Sequence, residues 1–185
     1  MTSSIQDKIA LFERVLAEVP ELRYAGDPIL RTPAKSVALE EGLLIGKRLE
    51  EVLLRFRAIT GVGRGLAAPQ IGEGASVFIT YVDDTVETFI NPRIVSTSDT
   101  NNMYKELCMS VGILAAEVER AEEIQMEWTD AEGNSRSGTF SGFLARLYQH
   151  EEAHLQGRLN IDEATPGGIE FATFDPLQEK LRPVK

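Results

Sequence analysis

The amino-acid sequence predicts an α+β fold in which antiparallel sheets pack around a central helix, with a long helix from the N-terminal half outside. Three observations favour this class. Strand-like segments follow one another in the middle of the chain, helical patterns lie on both sides of them, and strands do not alternate regularly with helices. Consecutive strands of this kind usually pair antiparallel, whereas regular alternation with helices is typical of a parallel sheet.

Two helical patterns come before the strands. Apolar residues recur at helical spacing from Ile5 to Val19, and either Ser3 or Ser4 can cap this first helix before Pro20 ends it. A second pattern covers residues 37–56 and is longer. Its apolar stripe, with charged residues on the opposite face, consists of Ile45, Leu49, Val52 and Phe56.

The middle of the chain reads as a series of strands. Segments 76–82, 86–95, 117–128 and 135–140 are rich in β-branched and aromatic residues, and a turn at 130–133 precedes the last of them. The pair Asn91-Pro92 interrupts the second segment. Ahead of the strands, a glycine-rich loop at 61–65 lacks the spacing of a phosphate-binding loop. We interpret it as a tight loop that brings Gln70 and backbone N–H groups close to a site.

Composition bounds the organisation and the partners. The 185 residues predict one domain over 1–185, with an N-terminal helical extension at 1–26 and a C-terminal arm at 160–185, whose tail after residues 166–168 is expected to dock loosely. A formal net charge of −10 argues against direct binding of nucleic acids. No stretch approaches the ~20 apolar residues of a membrane span, and no secretion signal is evident. A single cysteine cannot form an internal disulfide, which fits a reducing, cytoplasmic location.

Both histidines of the chain lie in one H-E-x-x-H motif at 150–154, within a third helix that Ser141 caps and Gly157 ends. Helical spacing puts His150 and His154 on one face, where they can bind one divalent metal ion. Glu151 can then act as general base toward a water molecule there. Two histidines on a helix can also be ordinary core or surface residues.

The only cysteine, Cys108, is the candidate for a third metal ligand, because it lies on a predicted strand or strand edge outside the helix. A lone cysteine is, however, more often a small buried hydrophobe. The face of the third helix that carries the histidines continues through Phe143 and Leu147. These two residues can form the floor of a hydrophobic substrate pocket, or they can be plain core.

Three segments, in this order, resemble the signatures of the peptide deformylase family. The family loop G-x-G-L-A-A-P-Q corresponds to residues 63–70, and the family strand E-G-C-L-S corresponds to 106–110, where the chain reads E-L-C-M-S. The family helix Q-H-E-x-D-H corresponds to 149–154, where the chain reads Q-H-E-E-A-H. The resemblance extends from about Asp27 to Leu159. It implies removal of the N-formyl group from the initiator methionine of nascent polypeptides, with release of formate.

The resemblance also implies a role for each matching residue. The metal ligands would be Cys108, His150 and His154, and the ion would be Fe²⁺ in cells, with Zn²⁺, Ni²⁺ or Co²⁺ also accepted. Glu151 would be the general acid and base. Gln70 and the backbone N–H of Met109 would stabilise the oxyanion. The N-formylmethionyl peptide, a nascent chain emerging from the ribosome, would contact Gly65, Arg64, Phe143 and Leu147.

The chain departs from the family pattern at four places, of which Met109 in place of the family leucine is the mildest. Leu107 replaces the glycine before the cysteine, where it would strain the backbone or crowd the cleft. Ala153 replaces the aspartate of the helix motif, and Glu152 or Glu106 would have to compensate for it. Residues 111–113 lack the proline that many bacterial members carry there.

Two alternatives stay open from the sequence alone. The first is a deformylase-like protein that binds metal and peptide but has weak or altered activity. The second is a peptidase in which Glu170 or Glu179 completes the metal site and Cys108 stays outside it.

Overall fold

The computed structural model describes residues 4–176 and 178–184. Within this part of the chain the α-helices are α1 (Ile5–Glu18), α2 (Leu39–Thr60) and α3 (Gly142–Leu155). The larger antiparallel sheet contains, in order, β1 (Gly65–Ala67), β2 (Val77–Val82), β3 (Thr85–Thr97), β6 (Glu123–Thr129) and β7 (Ser135–Ser141). The smaller contains β8 (Ala164–Phe171), β5 (Leu114–Ala121), β4 (Asn101–Leu107) and β9 (Arg182–Pro183). The α+β prediction is confirmed.

The first helix begins where a capping serine predicts it. Ser4 Oγ accepts a hydrogen bond from the N–H of Asp7 at 3.1 Å, and the Asp7 carboxylate accepts one from the N–H of Ser4 at 3.0 Å. This reciprocal pair satisfies two N–H groups that the helix leaves without partners. The alternative cap, Ser3, lies outside the described residues. None of the described helices combines the length and the apolar character that a membrane crossing needs.

The second helix packs against the larger sheet and is longer than the predicted 37–56. Its residues Ile45, Leu49, Val52 and Leu53 are buried there. Gly42 lets the helix approach the larger sheet closely, because a Cβ atom there would overlap Ile90. Helix α2 ends at Gly61, which has a left-handed φ of 72° and donates its N–H to the carbonyl of Arg57 at 2.8 Å. The chain then turns through residues 61–65 into β1.

Two predicted strands differ from the structure. The predicted strand 117–128 is two strands, since β5 ends at Ala121 in the smaller sheet and β6 begins at Glu123 in the larger one. The N–H of Glu122 donates to the carbonyl of Thr100 at 2.8 Å, which fixes the corner between the sheets. Conversely, the predicted interruption at Asn91 is not a break in the strand. β3 continues through this residue, which has a positive φ of 50°. The Asn91 amide bonds both the N–H and the carbonyl of Val37 at 2.9 Å.

The segment after residue 160 contributes two strands to the smaller sheet, and part of the tail after residues 166–168, predicted as a loosely docked arm, belongs to them. β8 pairs antiparallel with β5, and β9 pairs with β4. Lys105 on β4 forms an ion pair with Glu170 on β8 at 2.6 Å. Weak apolar periodicity misled the prediction, because the edge-strand residues of β8 stay largely exposed and carry few core positions. Strand β4 is therefore paired with β9 at Asn102 and Met103 and with β5 up to Leu107, the residue before Cys108.

Candidate active site

Helix α3 carries the H-E-x-x-H motif, and backbone hydrogen bonds close its C-terminal end. Gly157 follows the last turn with a left-handed φ of 74°, as the sequence predicts for a residue that ends a helix. The N–H of Arg158 donates to the carbonyl of Ala153 at 2.9 Å. At the other end Ser141 occupies the capping position, but its side chain makes no capping hydrogen bond. The position of His154 is thus fixed by the closed last turn.

Three potential metal donors converge between α3 and the end of β4. The Nε2 atoms of His150 and His154 are 3.2 Å apart, and the Sγ atom of Cys108 lies 3.3 Å from the Nε2 of His154. The three donor atoms all lie within 4.8 Å of one another. Cys108 comes directly after β4 and is only 4% exposed. The fold therefore brings together the residues that the sequence predicts as ligands.

The other ring nitrogen of each histidine already has a partner. His150 Nδ1 lies 2.8 Å from a carboxylate oxygen of Glu106, and His154 Nδ1 lies 3.0 Å from the carbonyl oxygen of Arg158. Both partners are acceptors, so each Nδ1 donates a hydrogen bond and each Nε2 faces the cluster, where it can bind a metal ion in its deprotonated form. Two imidazole nitrogens and one sulfur aimed at one point form a donor set that suits a divalent transition metal. The residues fit the metal that the family implies.

The charge balance also favours a thiolate ligand. Burial by itself would raise the pKa of the Cys108 thiol, but the neighbouring His154 and His150 lower it to about 5. Burial would lower the pKa of His150, yet Cys108 and Glu106 raise it well above its ordinary value. The cluster therefore stabilises negative charge on sulfur, and the thiolate is the form in which cysteine binds metals.

A buried network of charged side chains supports His150 from behind. Glu106 accepts hydrogen bonds from Arg120 at 2.6 and 2.9 Å and from Arg146 at 2.8 Å. Burial alone would raise the pKa of Glu106, but Arg120 and His150 hold it well below its ordinary range. Glu163 adds a second carboxylate 3.0 Å from Arg120. Glu106 is thus an ionised acceptor for His150.

Glu106 was predicted from the sequence as a possible partner of the metal-binding helix, but Arg120, Arg146 and Glu163 were not. A signal was present, because Arg120 and Arg146 interrupt segments that are otherwise apolar on their buried sides. Arg146 is 3% exposed and Arg120 is 7% exposed. A charged residue at a core position needs a partner of opposite charge, so its presence in the sequence indicates that such a partner lies nearby in the fold.

Glu151 lies beside the donor cluster without a partner for one of its oxygens. The side chain is 2% exposed, and within the described part of the chain its Oε2 atom has no hydrogen bond. Burial raises the pKa of Glu151 to about 7. Its carboxylate packs against Gly65, where a Cβ atom would overlap Oε1. A buried carboxyl group with this pKa can take up and release a proton near neutral pH.

Gln70 directs two amide hydrogens toward the same place. Its Oε1 accepts a hydrogen bond from the N–H of Ala67 at 2.9 Å, which fixes the orientation of the amide. The Nε2 atom then lies 3.5 Å from Cys108 Sγ and 3.1 Å from Ser110 Oγ. Met109 begins a short 3₁₀ turn, whose first N–H has no acceptor within the turn. Ser110, which positions Gln70, is a residue to which the sequence reasoning gave no role.

A cleft of about 860 Å³ leads to these groups. Every residue predicted for the site lines it apart from His154, which is buried behind the others at 1% exposure. The guanidinium group of Arg64 lies 4.7 Å from the centre of the Phe143 ring at the wall of the cleft. Phe143 and Leu147 agree with both interpretations of their role, as pocket floor and as core. They line the cleft and also pack on the apolar core of α3 and the larger sheet.

The departures at 107 and 153 leave the site complete. Leu107 lies in β4 opposite Ala115 and does not have a positive φ, so the expected backbone strain is absent. Its side chain does line the cleft, as expected for a residue that crowds it. Ala153 is buried at 2% exposure, and the carboxylate beside His150 comes from Glu106. Glu152 instead accepts a hydrogen bond from Gln156.

The geometry gives the peptidase alternative no support. Glu170 pairs with Lys105, and Glu179 lies 3.5 Å from Arg182. In the described part of the chain, the group of residues that could hold a metal ion is Cys108, His150 and His154. Cys108 therefore occupies the position at which the peptidase alternative needs an acidic third ligand.

Comparison with known proteins decides the family. The model of the polypeptide deformylase family matches residues 19–168. The chain belongs to the peptide deformylase family. The peptide deformylase of Pseudothermotoga lettingae is 34% identical over 164 residues, which cover 89% of this chain and 93% of that protein. Members of the family are metallohydrolases that remove the N-formyl group from nascent polypeptides, and this chain is such an enzyme.

Solved structures agree with the fold. The peptide deformylase from Thermotoga maritima has a TM-score of 0.70 and 33% identity, and the similarity covers 78% of this chain and 97% of that one. The peptide deformylase from Synechococcus elongatus, solved in complex with actinonin, has a TM-score of 0.69 and 32% identity, with 78% of each chain covered. The similarity thus extends over most of this chain.

Proposed function

We propose that Cys108, His150 and His154 hold one divalent metal ion, and that Glu151, Gln70 and the N–H of Met109 carry the deformylation chemistry. One observation carries the assignment. Three deprotonatable donors converge within 4.8 Å beside a buried carboxyl group whose free oxygen has no partner among the described residues. When bound, such an ion supplies a Lewis acid that polarises a carbonyl oxygen and lowers the pKa of a water molecule.

Glu151 moves the proton in this proposal. Its pKa of about 7 allows it to accept a proton from the attacking water and later to donate that proton to the leaving amine nitrogen. Both transfers need a carboxyl oxygen that is free to face the substrate, and Oε2 meets this requirement. The products are formate and a peptide with a free amino group.

Gln70 and Met109 stabilise negative charge on the formyl oxygen. The Ala67 N–H holds Gln70 Oε1, so the donating Nε2 is presented to the site before substrate arrives. A donor fixed in advance contributes more than one that must reorient during the reaction. The Met109 N–H offers a second donor from the turn that follows Cys108.

The substrate is bound by two different parts of the cleft. The methionine side chain packs on Phe143 and Leu147, with the Arg64 guanidinium group beside the Phe143 ring. Gly65 begins β1, which has a neighbour on only one side in its sheet. An extended peptide can pair with such an edge through main-chain hydrogen bonds.

We further propose the physiological setting. The native ion is Fe²⁺, and Zn²⁺, Ni²⁺ or Co²⁺ can replace it, because a ligand set of one sulfur and two nitrogens accepts each of them. The enzyme acts in the cytoplasm on formylmethionyl chains that emerge from the ribosome. A reducing compartment keeps the single thiol available as a ligand. The domain comprises residues 1–185.

Replacing Glu151 by glutamine tests the assignment. Glu151→Gln is expected to bind metal like the parent and to lose about 10²–10⁴-fold in turnover of a formyl-Met peptide, because the proton carrier is lost while the ligands remain. Glu152→Gln is the matched control, since Glu152 is the next residue of the helix and bonds only Gln156 among the described side chains. Near-parental turnover by metal-loaded Glu151→Gln would refute the role.

A further inference from the structure

Helix α1 lines the active-site cleft although it lies outside the part of the chain that matches the family. The match begins at residue 19, and α1 ends at Glu18. The residues of α1 at the cleft are Lys8, Leu11, Phe12 and Val15. This spacing places all of them on one face of the helix. The chain thus adds a wall to the cleft that the matched region does not supply.

The wall is anchored next to the catalytic turn. Val15 is 3% exposed and packs in the same apolar core as α2, so the helix is tied down at its C-terminal half. The Phe12 ring meets Tyr24 edge-on, with 5.3 Å between the ring centres. It also lies against Gly112, where a Cβ atom would stand 3.0 Å from Cζ. Gly112 closes the turn that begins with Met109.

The face that α1 presents to the cleft has a definite chemistry. Leu11 and Phe12 are half-buried and keep apolar surface accessible, and Lys8 precedes them by one helical turn. Among the described residues Lys8 takes part in no ion pair, so its charge is available to a ligand.

We propose that the α1 wall, defined as Lys8, Leu11 and Phe12, binds the residues that follow formyl-methionine in the substrate. Leu11 and Phe12 take an apolar side chain, and Lys8 favours an acidic one over a basic one. The inference rests on the proposed function, which puts the formyl group at Glu151 and the methionine side chain on α3. The rest of an extended peptide advances about 3.3 Å per residue along the cleft, and α1 is one of the walls that it can reach.

The test compares substrates that differ only beyond methionine. The kcat/KM of full-length, metal-loaded enzyme is measured on formyl-Met-Ala and on formyl-Met-Ala-Leu, formyl-Met-Ala-Glu and formyl-Met-Ala-Lys. The variants are Phe12→Ala and Lys8→Glu. The control is Leu16→Ala, because Leu16 lies on the same helix, is 44% exposed and is not a lining residue of the cleft.

Phe12→Ala is expected to lower the preference for the leucine tripeptide over the dipeptide by about 3- to 10-fold, mainly through KM, as loss of one aromatic contact does. Lys8→Glu is expected to reverse the preference for glutamate over lysine, by about two- to fivefold. Leu16→Ala is expected to keep the preferences of the parent.

Several outcomes would overturn the inference. One is an unchanged preference in both wall variants while the parent turns over every peptide. Another is an equal loss of kcat on all four peptides in both wall variants and in Leu16→Ala, which would make α1 a structural support only. If the parent turned over no formylated peptide, the proposed function itself would fail and the inference with it, which distinguishes the two failures.

Discussion

Two of the walls of the cleft are built in different ways. On one side, α3 and the end of β4 bring together buried histidines, a thiol and a network of charged side chains around Glu106. On the other side, α1 contributes half-buried apolar residues and one lysine. The first wall is fixed by hydrogen bonds between desolvated charges, each of which depends on its partner. The second is fixed by apolar packing, which tolerates replacement. We therefore expect replacements in α1 to change the shape of the cleft without disturbing the donor cluster.

The strongest way to break the first wall is to remove a ligand. Cys108→Ala is expected to lose stoichiometric metal and all measurable deformylation, because two imidazoles alone hold a divalent ion weakly. The fold is expected to survive, since alanine fills most of the volume of a small buried cysteine. Elemental analysis, circular dichroism and a deformylation assay check this. A full equivalent of tightly bound metal in Cys108→Ala would contradict the ligand assignment.

The charge network gives the next largest effect. Glu106→Gln keeps the shape of the side chain but leaves Arg120 and Arg146 buried with one anion fewer. Breaking a buried ion pair typically costs about 3–5 kcal/mol, and loss of a carboxylate beside a ligand histidine lowers metal affinity about 10–100-fold. Urea unfolding and metal competition measure the two effects.

The control for this network is Glu170→Gln, which removes a carboxylate from the exposed pair with Lys105. Such pairs contribute about 1 kcal/mol or less. If Glu106→Gln unfolded at the same urea concentration as Glu170→Gln, the buried network would have no special role in stability.

Removing the ion sharpens the comparison between the walls. An ion present at 100 times its dissociation constant stabilises the folded state by about 2.7 kcal/mol. A chelator is therefore expected to lower the melting temperature and to speed hydrogen exchange in α3, which carries the histidines, more than in α1. Equal acceleration in both helices would show that they open as one cooperative unit.

The smallest predicted effect concerns Leu107, at the edge of the first wall. Leu107→Gly is expected to raise kcat/KM for formyl-Met peptides by about tenfold or less, because it widens the cleft beside Cys108 without touching a ligand. Metal content is expected to match that of the parent. A variant with lower kcat/KM and unchanged metal would indicate that leucine helps to bind the substrate.

The fold class and the potential metal donors could be predicted because the patterns that indicate them are local in the sequence. Helical spacing alone places His150 and His154 on one face, and an apolar stripe alone identifies the buried side of α2. Cys108 was a candidate as the only thiol, but no spacing connects a strand end with a helix far along the chain, and the resemblance to a family supplied that connection.

The parts that could not be predicted depend on contacts between distant segments. The corner at Glu122 divides a continuous strand pattern, because alternation does not reveal a change of sheet. The partners of Arg120 come from β4 and from the segment after α3, so no spacing connects them. Helix α1 was recognisable as a helix, but its place at the cleft depends on the packing of Val15 and Phe12 in three dimensions.

The contact between Gly65 and Glu151 has a consequence for inheritance. Glycine is the only residue without a Cβ, and the carboxylate of Glu151 occupies the space that a Cβ would fill. Every single-nucleotide change that replaces a glycine codon by that of another amino acid adds a side chain. Each such change at codon 65 therefore displaces the Glu151 side chain, although it alters neither this residue nor the three potential metal donors. In a population of mutants this position is expected to be as intolerant as the histidine codons.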